Sequence, residues 1–295
     1  MGDKVAATYS NPTLAPGSPE WQKLVTPSKI AGILGISRWA DPYTTWHRMA
    51  GNLPPEETTE AMQRGTDLEP VVLKRFFRRH PELTLIPGSS VTVQQSSWLA
   101  VTPDAIATRT NGTRVLIEAK TTERWDHWGE PYTEAIPEDY WPQVIVAAHV
   151  LECDEIIVTA MGPFFDDREY YLNPDPELAE AVLAKTKQFW DTVQTGVEPE
   201  LSSTTASYEA WTKLATGAPT GEVEIDPELA IRYLTAVAGE KDVKPAKAAI
   251  VNALEAAGAK TAVCQGQKVA TRQRSAHGMS LVVARKLPHI TKEAA

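Results

Sequence analysis

The fold is decided by TPDAIATRTNGTRVLIEAK, residues 102–120. Asn111-Gly112 is a turn dipeptide set between two apolar runs, which predicts a β-hairpin. Alternation along the second run puts Val115, Ile117 and Ala119 on one face and Leu116, Glu118 and Lys120 on the other. A three-residue loop, Thr110 to Gly112 with Gly112 left-handed, sets Asp104 opposite Glu118 on the same face. A two-residue Asn-Gly loop sets Asp104 opposite Ala119 and sends the carboxylates apart, unless a bulge near Pro103 restores the register. A shared cation therefore requires the first arrangement or the bulge.

Two neighbouring carboxylates with a backbone carbonyl form a hard oxygen site suited to Mg²⁺, or Mn²⁺ in its place. Lys120, on the same face as Glu118, is placed to offset charge that builds on a phosphate. An acidic-x-Lys tripeptide alone is weak, because about one or two arise by chance in a chain of this length. Asp242-Val243-Lys244 is such a case, in a polar helical context. The other reading of Glu118 and Lys120 is a surface ion pair.

Around this hairpin, strand signals cover LTLI (83–86), VTV (91–93), WLAVTPDAIA (98–107), EIIVTAM (155–161) and REYYL (168–172). Helices are expected as two short pieces between 26 and 50 with a turn at Gly35, and over 60–79, 138–151 and 176–195. The helix over 60–79 repeats Leu68, Val72 and Phe76 as a buried stripe. The resulting class is α+β, a mixed sheet flanked by helices. Four segments are expected: a mobile tail at 1–25, a core at 26–195, a linker-like excursion at 196–225 rich in Gly, Pro, Ser and Thr, and a C-terminal helix and hairpin at 226–295. From Lys260 onward there are seven Lys or Arg against one Glu, so the C-terminal hairpin is locally basic.

The 295 residues are 42% hydrophobic and 23% charged, ordinary for a globular protein. No run approaches 18 apolar residues and the N-terminus has no apolar signal core, so no membrane span is expected and the cytoplasm is the expected location. Cys153 and Cys264 stand 111 positions apart, which implies neither a metal knuckle nor a disulfide framework. A net charge of −9 argues against a protein that coats nucleic acid, yet it suits a carboxylate metal site with a local basic groove. There is no GxSxG, HExxH, GxxxxGK[ST] or GxGxxG motif.

RGTDLEP (64–70), TPDAI (102–106), LIEAK (116–120) and WPQVIVAAHVL (141–151) together resemble, in order and spacing, the YqaJ-like viral recombinases. These belong to the lambda-exonuclease group of PD-(D/E)xK (restriction-endonuclease-like) nucleases. The resemblance covers about residues 26–195. It implies Asp104 and Glu118 as principal metal ligands with the Ala119 carbonyl, Lys120 as catalytic lysine and Glu69 as a third acidic residue near the metal. It also implies Gln143 as support for the attacking water or the metal, and Ser28 and Thr102 as contacts to a terminal phosphate. Other readings remain: Thr66 to Glu69 fits a capping box, Gln143 could cap a helix, and Ser28 could be an N-cap.

The function implied is a metal-dependent 5′→3′ exonuclease on linear double-stranded DNA ends, leaving 3′ single-stranded tails. A RecT- or Beta-type annealing partner, a ring-shaped homo-oligomer and a phage or prophage origin in a bacterial host go with it. Two alternatives stand beside it. One is an endonuclease or junction-resolving enzyme on the same core. The other is a helix-turn-helix regulator, because Ser28 to Ser37 mimics that motif, with only Arg38, His47 and Arg48 to contact DNA.

Overall fold

The computed structural model describes residues 14, 17–90, 92–239, 242–275, 278–284, 288 and 290. Its elements in chain order are α1 (Pro19–Gln22), α2 (Pro27–Leu34), α3 (Pro42–Met49), α4 (Glu60–Arg79), β1 (Thr84–Leu85), β2 (Val93–Gln94), β3 (Ala100–Val101), β4 (Ala105–Thr108) and β5 (Arg114–Thr121). Then come α5 (Trp141–Val150), β6 (Glu155–Met161), β7 (Asp167–Leu172), α6 (Pro176–Thr195), α7 (Thr205–Leu214), β8 (Glu222–Glu224), α8 (Pro227–Gly239), α9 (Val243–Ala256), β9 (Thr261–Cys264), β10 (Gln267–Ser275) and β11 (Gly278–Val283). Two compact units are formed. One takes the described residues up to Arg38 with Pro54–Gly196, and the other takes Trp39–Leu53 with the described residues from Val197 onward.

The first unit is built on a five-stranded mixed sheet of order β1-β4-β5-β6-β7. β4 and β5 are antiparallel, β5 and β6 parallel through the α5 crossover, and β6 and β7 antiparallel. Val115, Leu116 and Ile117 are all fully buried, so β5 is covered on both faces, as a central strand must be. Leu116 packs with Ile106, Val144, Ile145 and Val158 on the α5 side, whereas Val115 and Ile117 pack with Phe76, Ala107 and Ile157 on the α4 side. This is the expected α+β arrangement of a mixed sheet flanked by helices.

Three local expectations changed. WLAVTPDAIA is not one strand: β3 ends at Val101 and β4 begins at Ala105, because Pro103 has no N–H to give to a ladder. The capping box at Thr66–Glu69 does not form. Thr59 caps α4, whose 20 residues run on through Pro70 and leave Glu69 in mid-helix. Likewise Ser28 is not the cap of α2; Thr26 holds that position.

The second unit carries a four-stranded sheet, β11-β10-β9-β8, with α3, α7, α8 and α9. The stretch expected as a linker contains α7, whose Tyr208, Ala210 and Trp211 are buried in the core of this unit beside Tyr233, Ile250 and Leu254. Its Gly and Pro residues flank the helix and do not interrupt it. Six of the eight residues of α3 are buried, His47 among them, which leaves that helix little surface to offer a DNA groove and disfavours the regulator reading. Of the basic residues toward the C-terminus, Arg272 points inward and donates to Ala259 O, Leu254 O and Glu255. Arg285, Lys286 and Lys292 lie outside the described residues, as do 1–13, 15 and 16 of the N-terminal tail and Val91 of the expected strand VTV. Cys153 and Cys264 are buried free thiols. Among the described residues no helix is long and apolar enough to cross a membrane.

Candidate active site

The β4–β5 hairpin closes with three residues. Thr108 pairs with Arg114, the Arg109 N–H donates to Thr113 O at 2.9 Å, and Gly112 takes φ +89°. The pairs Ala105–Ile117 and Ile106–Leu116, carried back one step, set Asp104 across from Glu118. Asp104 lies just before β4, and its Oδ2 accepts the backbone N–H of Ala119 at 2.8 Å. In a strand a residue's N–H and C=O point to the same edge. The Ala119 carbonyl therefore lies on the Asp104 edge, beyond the start of β4.

Glu118 is only 4% exposed. Its Oε1 accepts from Lys120 Nζ at 2.6 Å and from Gln143 Nε2 at 2.5 Å. Lys120 Nζ also donates to Gln143 Oε1 at 3.3 Å and stands 4.8 Å from the centre of the Tyr140 ring. Gln143 enters because α5 packs its first turn against β5, and Tyr140 lies three residues earlier on the same face. Trp128 backs Tyr140 from behind, with ring centres 5.7 Å apart. Sequence reading passed over Tyr140; its signal was the three-residue spacing to Gln143.

The electrostatics follow from this crowding. Burial and the Glu118 charge raise the Asp104 carboxyl well above its ordinary range, against the opposing pull of Lys120 and the Ala119 N–H. Burial and Glu118 also raise Glu69 from α4, which places Glu69 within the field of the cluster. Burial lowers Lys120, but Glu118 and Asp104 outweigh it, and the ammonium form is held more tightly than in water.

The donor set of Asp104, Glu118, Glu69 and the Ala119 carbonyl is all oxygen and suits a hard divalent cation. Burial first, and the Glu118 charge second, disfavour the ionised forms of Asp104 and Glu69, a cost that a bound cation would offset. Among the described residues no three His, Cys, Asp or Glu side chains are drawn together as a finished cage. In the present arrangement Lys120 and Gln143 occupy Glu118 Oε1.

Ser28 and Thr102 are related by a parallel bridge. Val25 N–H donates to Trp98 O at 2.8 Å and Ala100 N–H to Val25 O at 3.0 Å, and each residue stands three positions beyond the bridged pair Val25 and Leu99. The Ser28 hydroxyl is exposed, 3.1 Å from Thr26 Oγ1, and Thr102 Oγ1 lies 2.7 Å from Thr92 Oγ1. Neighbouring Lys29 is structural: its Nζ donates to the carbonyls of Trp21, Gln22 and Leu24, and burial pushes it down to about 7.

Residues 20–154 match the model of the YqaJ-like viral recombinase domain. No curated protein matches the chain. Among solved structures, an alkaline exonuclease (LHK-Exo) from Laribacter hongkongensis is similar over 60% of this chain and 91% of its own, with 17% identity and a TM-score of 0.47. A structure of LHK-Exo in complex with dAMP covers 61% of this chain and 92% of its own, with 18% identity and a TM-score of 0.47. The hairpin carrying Asp104, Glu118 and Lys120 and the helix carrying Gln143 all fall inside residues 20–154, the segment that is similar to the YqaJ-like viral recombinase domain.

Proposed function

We propose that this protein is a metal-dependent DNA exonuclease that degrades linear double-stranded DNA 5′→3′ and leaves 3′ single-stranded tails for phage-type recombination. One observation carries the reading: Asp104 faces Glu118 across the hairpin, and Lys120 and Gln143 both bind the Glu118 carboxylate. Asp104, Glu118, the Ala119 carbonyl and Glu69 would hold Mg²⁺, or Mn²⁺ in its place. A bound divalent ion supplies Lewis acidity and lowers the pKa of bound water.

The chain's own residues do the rest. The Ala119 N–H fixes the Asp104 carboxylate, and Gln143 fixes that of Glu118. Lys120 keeps its proton because two carboxylates surround it, so it brings a full positive charge toward the phosphate being cleaved. Ser28 and Thr102 offer hydroxyls to a terminal phosphate, with Ser28 in the first turn of α2. A ring-shaped homo-oligomer around the duplex and a RecT- or Beta-type annealing partner belong to the same proposal.

The test is incubation of the purified protein with linear duplex labelled at either the 5′ or the 3′ end, with Mg²⁺ or with EDTA, beside a closed circular duplex. Early release of 5′ label, with the circle intact and no reaction in EDTA, is the expected result. Cleavage of the circle would replace the exonuclease with an endonuclease. No degradation of either substrate would end the nuclease reading.

A further inference from the structure

The turn from β6 to β7 carries a feature that phosphate cleavage does not use. Gly162-Pro163-Phe164-Phe165 makes one tight turn in which Phe164 and Phe165 take φ +58° and +61°. Bulky side chains rarely adopt this conformation. Its result is that Phe164 is fully exposed and Phe165 is 62% exposed.

The turn is firmly held from both sides. Arg75 donates to Phe165 O at 3.1 Å and to Asp167 Oδ2 at 2.8 Å, and its guanidinium lies 5.7 Å from the Phe165 ring centre. Arg79 makes a second bond to Asp167 at 2.6 Å. At the base, Trp125 packs so closely on Gly162 that an added Cβ would lie 2.4 Å from the indole. Arg168 covers that indole at 4.1 Å and stands 3.5 Å from Asp166. Cations and aromatic rings thus alternate around the turn, and its two aspartates are compensated by arginines.

Position gives this arrangement its meaning. Met161, the last residue of β6, pairs with Thr121, the neighbour of Lys120, and the Thr122 N–H donates to Met161 O at 3.0 Å. The turn therefore leaves the sheet at the end where Asp104, Glu118 and Lys120 gather. Two rings flanked by charges are too small for a standard protein interface, which needs about 800 Å² from each partner. They do match the planar faces of nucleobases, which aromatic rings and guanidinium groups hold without regard to sequence.

We propose that Phe164 and Phe165 stack on unpaired nucleobases of the DNA strand handled at the carboxylate site. This rests on the nuclease reading and adds a contact for single-stranded DNA beside the reacting phosphate. Duplex DNA keeps its bases stacked on one another, so the contact discriminates in favour of tails.

The experiment compares the full-length protein with its Phe164→Ser/Phe165→Ser double variant, using blunt duplex and duplex with single-stranded tails, in Ca²⁺ to hold back cleavage. Tailed DNA should bind about tenfold more weakly to the variant, with the blunt duplex little changed and the melting temperature preserved. In the wild type, 2-aminopurine in the tail should be quenched on binding, a readout that does not depend on the variant folding. Equal affinity of variant and wild type for tailed DNA, equal loss on blunt and tailed DNA, or an unquenched tail would each overturn the proposal. Loss of self-association with DNA binding intact would assign the rings to a protein contact and overturn it too. Mg²⁺-dependent degradation by the wild type, measured alongside, reports on the nuclease reading separately from these binding arms.

Discussion

The backbone N–H of Ala119 donates to Asp104 Oδ2 at 2.8 Å, so the strand that carries Glu118 and Lys120 also clamps the carboxylate facing it. That bond stabilises ionised Asp104, while burial and the Glu118 charge act against it and prevail. Asp104 is thus held in place by the neighbouring strand, and its ionised form is kept at a cost.

Asp104→Asn keeps an acceptor for Ala119 and removes the charge. Metal-dependent degradation should fall by about a hundredfold or more. Stability should move the other way. A carboxyl whose pKa is raised on folding binds its proton more tightly in the native state, so ionisation costs stability as pH rises above the ordinary 3.8. The cost is fully present above the raised native value and absent below the unfolded one. Thermal melts in EDTA should therefore show the variant more stable at pH 7, with the gain vanishing below about pH 4. A variant less stable at pH 7 would contradict the charge balance described for the site.

Lys120→Met leaves the buried Glu118 carboxylate without its ammonium partner. Stability should drop by on the order of 3 kcal/mol, because an uncompensated buried charge remains. Turnover should fall, while metal affinity is retained. Calorimetric metal titration beside single-turnover kinetics separates the two; unchanged turnover would remove Lys120 from the chemistry.

Lys120 Nζ stands 4.8 Å from the centre of the Tyr140 ring, a cation–π approach to the ring face. Tyr140→Phe should therefore be nearly silent, whereas Tyr140→Leu should lower kcat about fivefold with KM unchanged. Equal loss in both variants would point to the hydroxyl instead.

Gly112→Ala places a Cβ at φ +89° in the turn that fixes the hairpin register. The cost should be about 1–2 kcal/mol, read from urea denaturation. Gly112→Asn should cost less, since Asn tolerates the left-handed region.

In the second unit, buried Asp41 accepts from Thr44 N at 2.8 Å and Ser207 Oγ at 2.6 Å, and also from the Thr204 hydroxyl. It caps α3 and ties it to α7. Asp41→Ala should destabilise by on the order of 2–3 kcal/mol, since a cap, the buried Ser207 hydroxyl's acceptor and that of the half-buried Thr204 hydroxyl are lost together. A melt within 0.5 kcal/mol of the wild type would show that the two hydroxyls find other acceptors.

The sequence by itself determined that a hairpin forms between residues 102 and 120. A turn dipeptide and a strict two-residue alternation located the turn and put Glu118 and Lys120 on one face, because both are properties of a short window of chain. They left two loop lengths open, and the structure took the three-residue loop that sets Asp104 opposite Glu118. Tertiary structure decided the remainder. The helix over 60–79 was legible from its apolar stripe, with a local helix start at Thr66 as the other reading, but only packing brings Glu69 into the field of Glu118. Gly- and Pro-rich sequence around α7 reads as a linker, but Trp211 finds a core among residues far along the chain. Tyr140 acquires its place only when α5 lies against β5. Local dihedral preferences and side-chain alternation are written within a few residues. Which helix meets which strand depends on burying apolar surface across the whole domain, and no short window contains that information.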